Sequence, residues 1–266
     1  MIQQTLYNNI FDSHSHYDGQ SFDCDRDTLL SEMFSSCVSG IIHCATDLPS
    51  CEYGIKYSAK YPHYYTAIGI HPEHIFDMPD DYIQRLEEML PRSEKIVAVG
   101  EIGLDYHYDD HDREKQLELF ISQLEFAAKH SLPVIIHSRD ATEDTMKLLR
   151  KYRPAGVLHC FSGSYETACE VISLGMYIGF TGALTFKNNK KASRALEAVP
   201  MDRLLLETDC PYMAPEGYRG QRSESAMIYR VAEKVAEVKG VDPQSVLDIT
   251  AENAKRLFGI QSILTD

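Results

Sequence analysis

With 266 residues, 44% of them hydrophobic, the chain is long for an ordinary domain but normal for a single α/β barrel, and it has ample apolar material for a core. A formal charge of -14 excludes loose electrostatic binding of polyanions, because affinity for a phosphate backbone comes largely from Lys and Arg clusters that release counterions. Any nucleic-acid substrate has to be held locally, by metal and a few arginines.

Short apolar, β-rich runs alternate with longer amphipathic stretches, the pattern of parallel strands joined by helices. In chain order the runs are "NIFDSHSH" from Asn9, "GIIHCAT" from Gly40, "YYTAIGIHP" from Tyr64, "KIVAVGEIGLD" from Lys95, "LPVIIHSRD" from Leu132, "AGVLHCFSG" from Ala155, "MYIGFTG" from Met176 and "RLLLETDCP" from Arg203. The clearest helix is "DREKQLELFISQLEFAAKH", where Leu117, Phe120, Ile121, Leu124 and Ala128 keep one apolar face and Asp112 is the expected N-cap. Two helices follow the last strand, "SESAMIYRVAEKVAEVK" and "PQSVLDITAENAKRLFG", the second opening on Pro243 and closing on Gly259. No repeat or linker interrupts the series. The prediction is one α/β domain over residues 1–266, a (β/α)8 TIM barrel with extra C-terminal helices, and its competitor is a doubly wound open sheet.

The start "MIQQTLYNNIFD" has neither a basic n-region nor a cleavable apolar h-region, and no run approaches a membrane span, which predicts the cytoplasm and no membrane partner. Cys24, Cys37, Cys44, Cys51, Cys160, Cys169 and Cys210 are odd in number, scattered and never arranged as Cys-x-x-Cys, so they read as reduced thiols.

The polar residues at the strand ends decide between the two architectures. His14 and His16 end the first strand, His71 the third, Glu101 the fourth, His137 the fifth, His159 the sixth and Asp209 the eighth. In a closed barrel these carboxyl ends meet at one rim. Taken singly each has a structural explanation: Asp209 before Cys210-Pro211 could start a turn, and His137 could be a satisfied core histidine. Together they predict a metal centre, because apolar runs such as "LPVII", "AGVL" and "RLLL" break to His or acid at the same relative point. His14 and His16 with Asp209 and Glu101 would satisfy one ion, and His137 and His159 with a shared Glu101 a second. Two such cations suit a phosphoryl centre by activating water and stabilising attacking and leaving oxygens. Asp209 would orient and deprotonate the water, so Asp209 and Glu101 are the expected catalytic acids.

His71 and Arg139 are read as substrate contacts, and Arg219 as a further one on the loop "PYMAPEGYRGQR", which also carries Tyr212 and Tyr218. Arg222 is expected to be a solvated charge and His43 a structural residue. Asp140 reads as a helix N-cap with Glu143 completing a capping box. His63, His74, His107, His111 and His130 are expected in solvated loops or helices.

The stretches "FDSHSH", "AIGIHP", "VAVGEIGLDY", "LPVIIHSRDA", "GVLHCFSGS", "FTGALTFKN" and "LLLETDCPYMAP", spread over nearly the whole chain, resemble those of the TatD-type metal-dependent deoxyribonucleases. The resemblance implies a TIM barrel of the metallo-dependent hydrolase type, divalent-metal cleavage of DNA phosphodiesters and 3′ to 5′ exonuclease action on single strands. It also implies metal ligation by His14, His16, Glu101, His137, His159 and Asp209, with His71 and Arg139 near the substrate. The family is generally described as using magnesium, whereas a histidine-rich ring favours zinc or manganese, so the expectation is two divalent cations, Mg, Mn or Zn. The chain departs from the family in "RGQRSESA", where Ser223 and Ser225 replace the usual asparagine and proline.

Two other functions compete. A binuclear amidohydrolase or esterase acting on a cyclic amide, lactone or aminoacyl ester would use the same scaffold, but such relatives often carry a modified lysine where Glu101 stands here. A non-catalytic metal-binding protein would be expected to lack the water-orienting Asp209.

Overall fold

The computed structural model describes residues 6–109 and 111–261. The first five residues of "MIQQTLYNNIFD" lie outside the described residues. Eight strands, β1 (Ile10–Ser15), β2 (Val38–Cys44), β3 (Tyr64–Ile68), β4 (Ile96–Asp105), β5 (Val134–Arg139), β6 (Gly156–Leu158), β7 (Tyr177–Phe180) and β8 (Leu204–Leu206), pair in parallel in the order of the chain. A parallel bridge between Ser15 and Cys210 brings the end of β8 back to β1, so the sheet closes into the TIM barrel expected from the sequence. The open-sheet competitor is thereby excluded.

The helices are α1 (Arg26–Ser36), α2 (Leu48–Lys60), α3 (Tyr82–Met89), α4 (Arg113–His130), α5 (Thr142–Tyr152), α6 (Tyr165–Ser173), α7 (Lys190–Ala198), α8 (Ile228–Lys239) and α9 (Pro243–Leu257). Asp112 caps α4 by accepting the Lys115 N–H at 3.1 Å. Asp242 does the same for α9 through Ser245, with Pro243 in the first turn. None of the described helices is long and apolar enough to cross a membrane.

Strand alternation sorts the core. Phe11, Ile42, Ala67, Ile135, Val157, Tyr177 and Leu205 form the inner cluster, while their neighbours Ile10, Ile41, Ile68, Ile136, Leu158, Ile178 and Leu206 pack outward against the helices. The extra helix α9 adds Ala251, Ala254 and Phe258 to the inner cluster, filling the barrel from the end opposite the histidines. At one point the strands approach so closely that only glycine fits: a Cβ on Gly156 would lie 2.4 Å from the Val134 carbonyl oxygen.

Three expectations are corrected. Strands β6 and β8 stop three residues in, so His159 and Asp209 stand just beyond them. The backbone turns away there, with Asp209 at φ 59°. Asp140 does not cap α5; the cap position is Ala141, without a side-chain cap bond. The left-handed backbone of Asp140, φ 54°, turns its carboxylate towards His107, 2.9 Å away, so no capping box forms. Finally, α8 begins later than its periodicity indicates, because Ser223 and Ser225 are drawn into the protein rather than into the helix.

Candidate metal centre

The inward face of each strand carries its functional side chain past the apolar cluster. His137 lies two residues beyond inward Ile135, and His159 two beyond inward Val157, so strand parity alone aims both over the barrel axis. His14 and His16 arrive by a register shift between Asp12 and Ser15 in the β1–β2 pairing.

All six residues expected as ligands are brought together. The Nε2 atoms of His14 and His16 are 3.0 Å apart. They lie 3.3 and 3.5 Å from Glu101 Oε2, and 3.7 and 3.3 Å from Asp209 Oδ1. On the other side, Glu101 Oε1 is 2.7 Å from His159 Nε2 and 2.9 Å from His137 Nδ1. Glu101 therefore stands between two groups of donors and offers one oxygen to each. The described residues contain three clusters of possible ligand atoms, His14/His16/Asp209, His14/Glu101/His159 and His71/Glu101/His137, and all of them belong to this one place.

Burial alone would push both acids towards their neutral forms. For Glu101 the imidazoles of His159, His14 and His71 outweigh it and hold the carboxyl well below its usual range. For Asp209 the hydrogen bond from His16 and the charge of His14 lower it in the same way. Burial likewise opposes charge on His16, but the bond to Asp209 and the Glu101 carboxylate raise it to about 9. His16, His137 and His159, which would have to offer lone pairs to a cation, are thus held protonated near neutrality, whereas burial and the neighbouring His159 shift His14 the other way. Loading a cation onto stripped protein at pH 7 should release about one proton or more, readable as buffer-dependent calorimetric heats; zero release would contradict this charge arrangement.

His71 is buried, and burial drops its pKa to about 3. Its Nδ1 accepts the Glu73 N–H at 3.2 Å, which by inference leaves the proton on Nε2, 3.6 Å from Glu101 Oε1. That places a neutral donor at the site. His43 points outward, its Nε2 3.2 Å from both oxygens of Ser50. Burial lowers its pKa to about 4, in keeping with a structural role.

Three buried acids behind the ligands were not anticipated. Asp105 Oδ2 is 3.0 Å from His137 Nε2, which fixes the tautomer that leaves Nδ1 free for the centre. Gln116 in turn clasps the Asp105 backbone with its side-chain amide, whose oxygen accepts the Asp105 N–H and whose NH2 donates to the Asp105 carbonyl. Glu207 Oε1 lies 3.7 Å from His159 Nδ1 and accepts the Cys160 N–H. Asp12 accepts the backbone N–H groups of His14 and Thr208 and the hydroxyls of Thr208 and Ser225, tying the ends of β1 and β8 together. Ser225, one of the two departures from the family pattern, is thus a partner of this brace, and Tyr17 also bonds it. Parity could have revealed two of the three: Asp105 shares the face of Glu101, and Glu207 that of Leu205. Asp105→Asn removes the charge that would make His137 a stronger ligand, and should weaken metal affinity about 10- to 100-fold by titration against a chelator while leaving the fold intact.

A cavity of about 890 Å³ opens above the cluster, lined among others by His16, His71, Glu101, His137, Asp209 and Arg139. Arg139, read from the sequence as a substrate contact, is one of the lining residues. Arg219 is not among the lining residues; its guanidinium lies 4.6 Å from the ring centroid of Phe186. Arg222 is not simply solvated, since it makes two 2.7 Å bonds to Asp25. His74, expected in a solvated position, lines the cavity as well.

Comparison with known proteins agrees with this architecture. Residues 11–259 match the family described as TatD related DNase. The uncharacterized metal-dependent hydrolase YabD of Bacillus subtilis is 39% identical over 254 residues, 94% of this chain and 99% of its own. A protein of Escherichia fergusonii named 3'-5' ssDNA/RNA exonuclease TatD is 31% identical over 259 residues, 94% of this chain and 99% of its own. The crystal structure of the TatD homolog YjjV from Escherichia coli superposes with a TM-score of 0.89 at 32% identity, covering 95% of this chain and 99% of that one. Closed barrel, histidine-rich rim and full-length similarity converge, and the chain belongs to the TatD family of metal-dependent hydrolases.

Proposed function

We propose that this hydrolase is a nuclease that cleaves phosphodiester bonds of DNA, acting as a 3′ to 5′ exonuclease on single strands, with two divalent cations as cofactors. The observation that carries the reading is the position of Glu101, each of whose oxygens faces a separate group of imidazoles beneath one open cavity. The donor set fits cations: four imidazoles and two carboxylates that are held ionised converge, and second carboxylates stand behind His137 and His159. The name of the Escherichia fergusonii relative supports the substrate class. Imidazole-rich ligation favours zinc or manganese over magnesium.

His14, His16, Asp209 and one oxygen of Glu101 would hold one ion, and His137, His159 and the other oxygen the second. Bound there, the pair would supply Lewis acidity to a phosphoryl oxygen and lower the pKa of water. Asp209 turns Oδ1 to the histidines, leaving Oδ2 to orient the attacking water and take its proton. The His71 Nε2–H and the Arg139 guanidinium are donors for the non-bridging phosphate oxygens.

Protein stripped of metal and given back manganese, magnesium or zinc should shorten end-labelled single-stranded DNA from its 3′ end. Inactivity on DNA beside robust turnover of an aminoacyl ester or a dihydropyrimidine-type amide would overturn the reading.

A further inference from the structure

We infer that Tyr108 and Tyr212 form a stacking platform for nucleobases at the mouth of the metal-site cavity, so that a single strand is gripped by its bases more than by its backbone charge. The inference rests on the nuclease reading and specifies how that site would recognise its substrate.

Charge is the first reason. Among the described residues lining the cavity, Arg139 is the single arginine or lysine, while Asp18, Glu73 and Asp105 line it outside the ligand set. On a chain of formal charge -14, that leaves few cations to attract phosphates beyond the one being cleaved, the next being Lys191 in the adjoining pocket. Binding driven by counterion release would require several such cations. Much of the affinity for the rest of the strand then falls to contacts that do not depend on charge.

The surface supplies them. Among the described residues eight large hydrophobic side chains are exposed, and three of these, Tyr108, Tyr212 and Met213, line this one cavity. Tyr108 is 50% exposed and Tyr212 65%, so a face or edge of each ring is open to a ligand. Both are held close to the chemistry. The Tyr212 N–H donates to the Asp209 carbonyl at 2.9 Å. Tyr108 follows Asp105 by three residues, and the Arg139 guanidinium lies 5.5 Å from its ring centroid. An aromatic ring backed by the one cavity arginine pairs a stacking surface with a phosphate donor.

Stacking accepts any base, because every base has a π-face, but it needs the base to be out of a duplex. The platform therefore selects single strands and frayed ends without reading sequence.

The test compares two oligonucleotides with the same backbone, one carrying all its bases and one abasic at the last two 3′ positions, by equilibrium binding and steady-state cleavage with manganese. The wild-type enzyme should show a KM and a Kd at least about tenfold lower for the base-bearing strand, with kcat changed much less. The Tyr108→Ala/Tyr212→Ala double variant should lose that discrimination, and Tyr108→Phe/Tyr212→Phe should keep it. Equal handling of both strands by the wild type, which requires no variant to fold, would overturn the inference while leaving the nuclease reading intact. Discrimination that survives the double alanine variant would overturn it equally. Failure to cleave either strand with manganese, magnesium or zinc would reject the nuclease reading itself, and this inference with it.

Discussion

Replacing Glu101 with alanine should reduce metal-dependent hydrolysis at least about 1000-fold and leave the purified protein unable to hold two ions by elemental analysis. The size of the effect follows from how many groups share this one side chain. His14, His16, His71, His137 and His159 all have a ring nitrogen within 3.6 Å of a Glu101 oxygen. Without the carboxylate, no anion separates the two donor groups, and two cations placed there would repel each other in a buried setting where charge is weakly screened. Glu101→Gln separates charge from shape: it preserves the volume and one carbonyl oxygen, yet should recover little activity. A Glu101→Ala protein that retained two ions and turnover within tenfold of wild type would show that the bridging arrangement is not what binds metal.

How much of this was legible before the structure depends on how local each signal is. The ligand candidates could be read because each interrupts an apolar run, Glu101 four residues before the end of β4 and the others near or just past a strand's carboxyl end, and the barrel follows from the count and spacing of those runs. Asp105 was missed because Glu101 was taken as the polar end of the fourth run, although "KIVAVGEIGLD" carries both acids. In the fold β4 is ten residues long and buried throughout, and only that length puts Asp105 on the face of Glu101. Glu207, inside the run "RLLLETDCP", was passed over in the same way in favour of Asp209. The roles of Arg222 and Ser225 were beyond reach, since their partners Asp25 and Asp12 lie 197 and 213 residues away in the chain. A loop charge looks solvated until a distant segment supplies its carboxylate. The same limit explains Arg219, whose place against Phe186 is set by the path of a Pro- and Gly-punctuated loop that periodicity does not encode.

Asp209→Asn should separate binding from chemistry. The asparagine keeps the size of the side chain and an oxygen at the position now 3.3 Å from His16 Nε2, so metal should still be taken up, with affinity reduced about tenfold. What it loses is the basic oxygen that would accept a proton from water, and general-base loss costs about 100- to 10,000-fold in kcat. The expected pattern is therefore a large fall in kcat, a small change in KM and near-normal metal content. The backbone around position 209 makes this a fair comparison: the residue has a left-handed φ of 59°, which asparagine tolerates about as well as aspartate. Its N–H would still donate to the His14 carbonyl at 3.0 Å, keeping the loop in place beside β1. Wild-type kcat in this variant would move the proton-accepting role elsewhere, and Glu207, buried behind His159, is too enclosed to take it. A parallel loss of metal and activity would instead make Asp209 a ligand first, and the decisive measurement is elemental content on the same sample that is assayed.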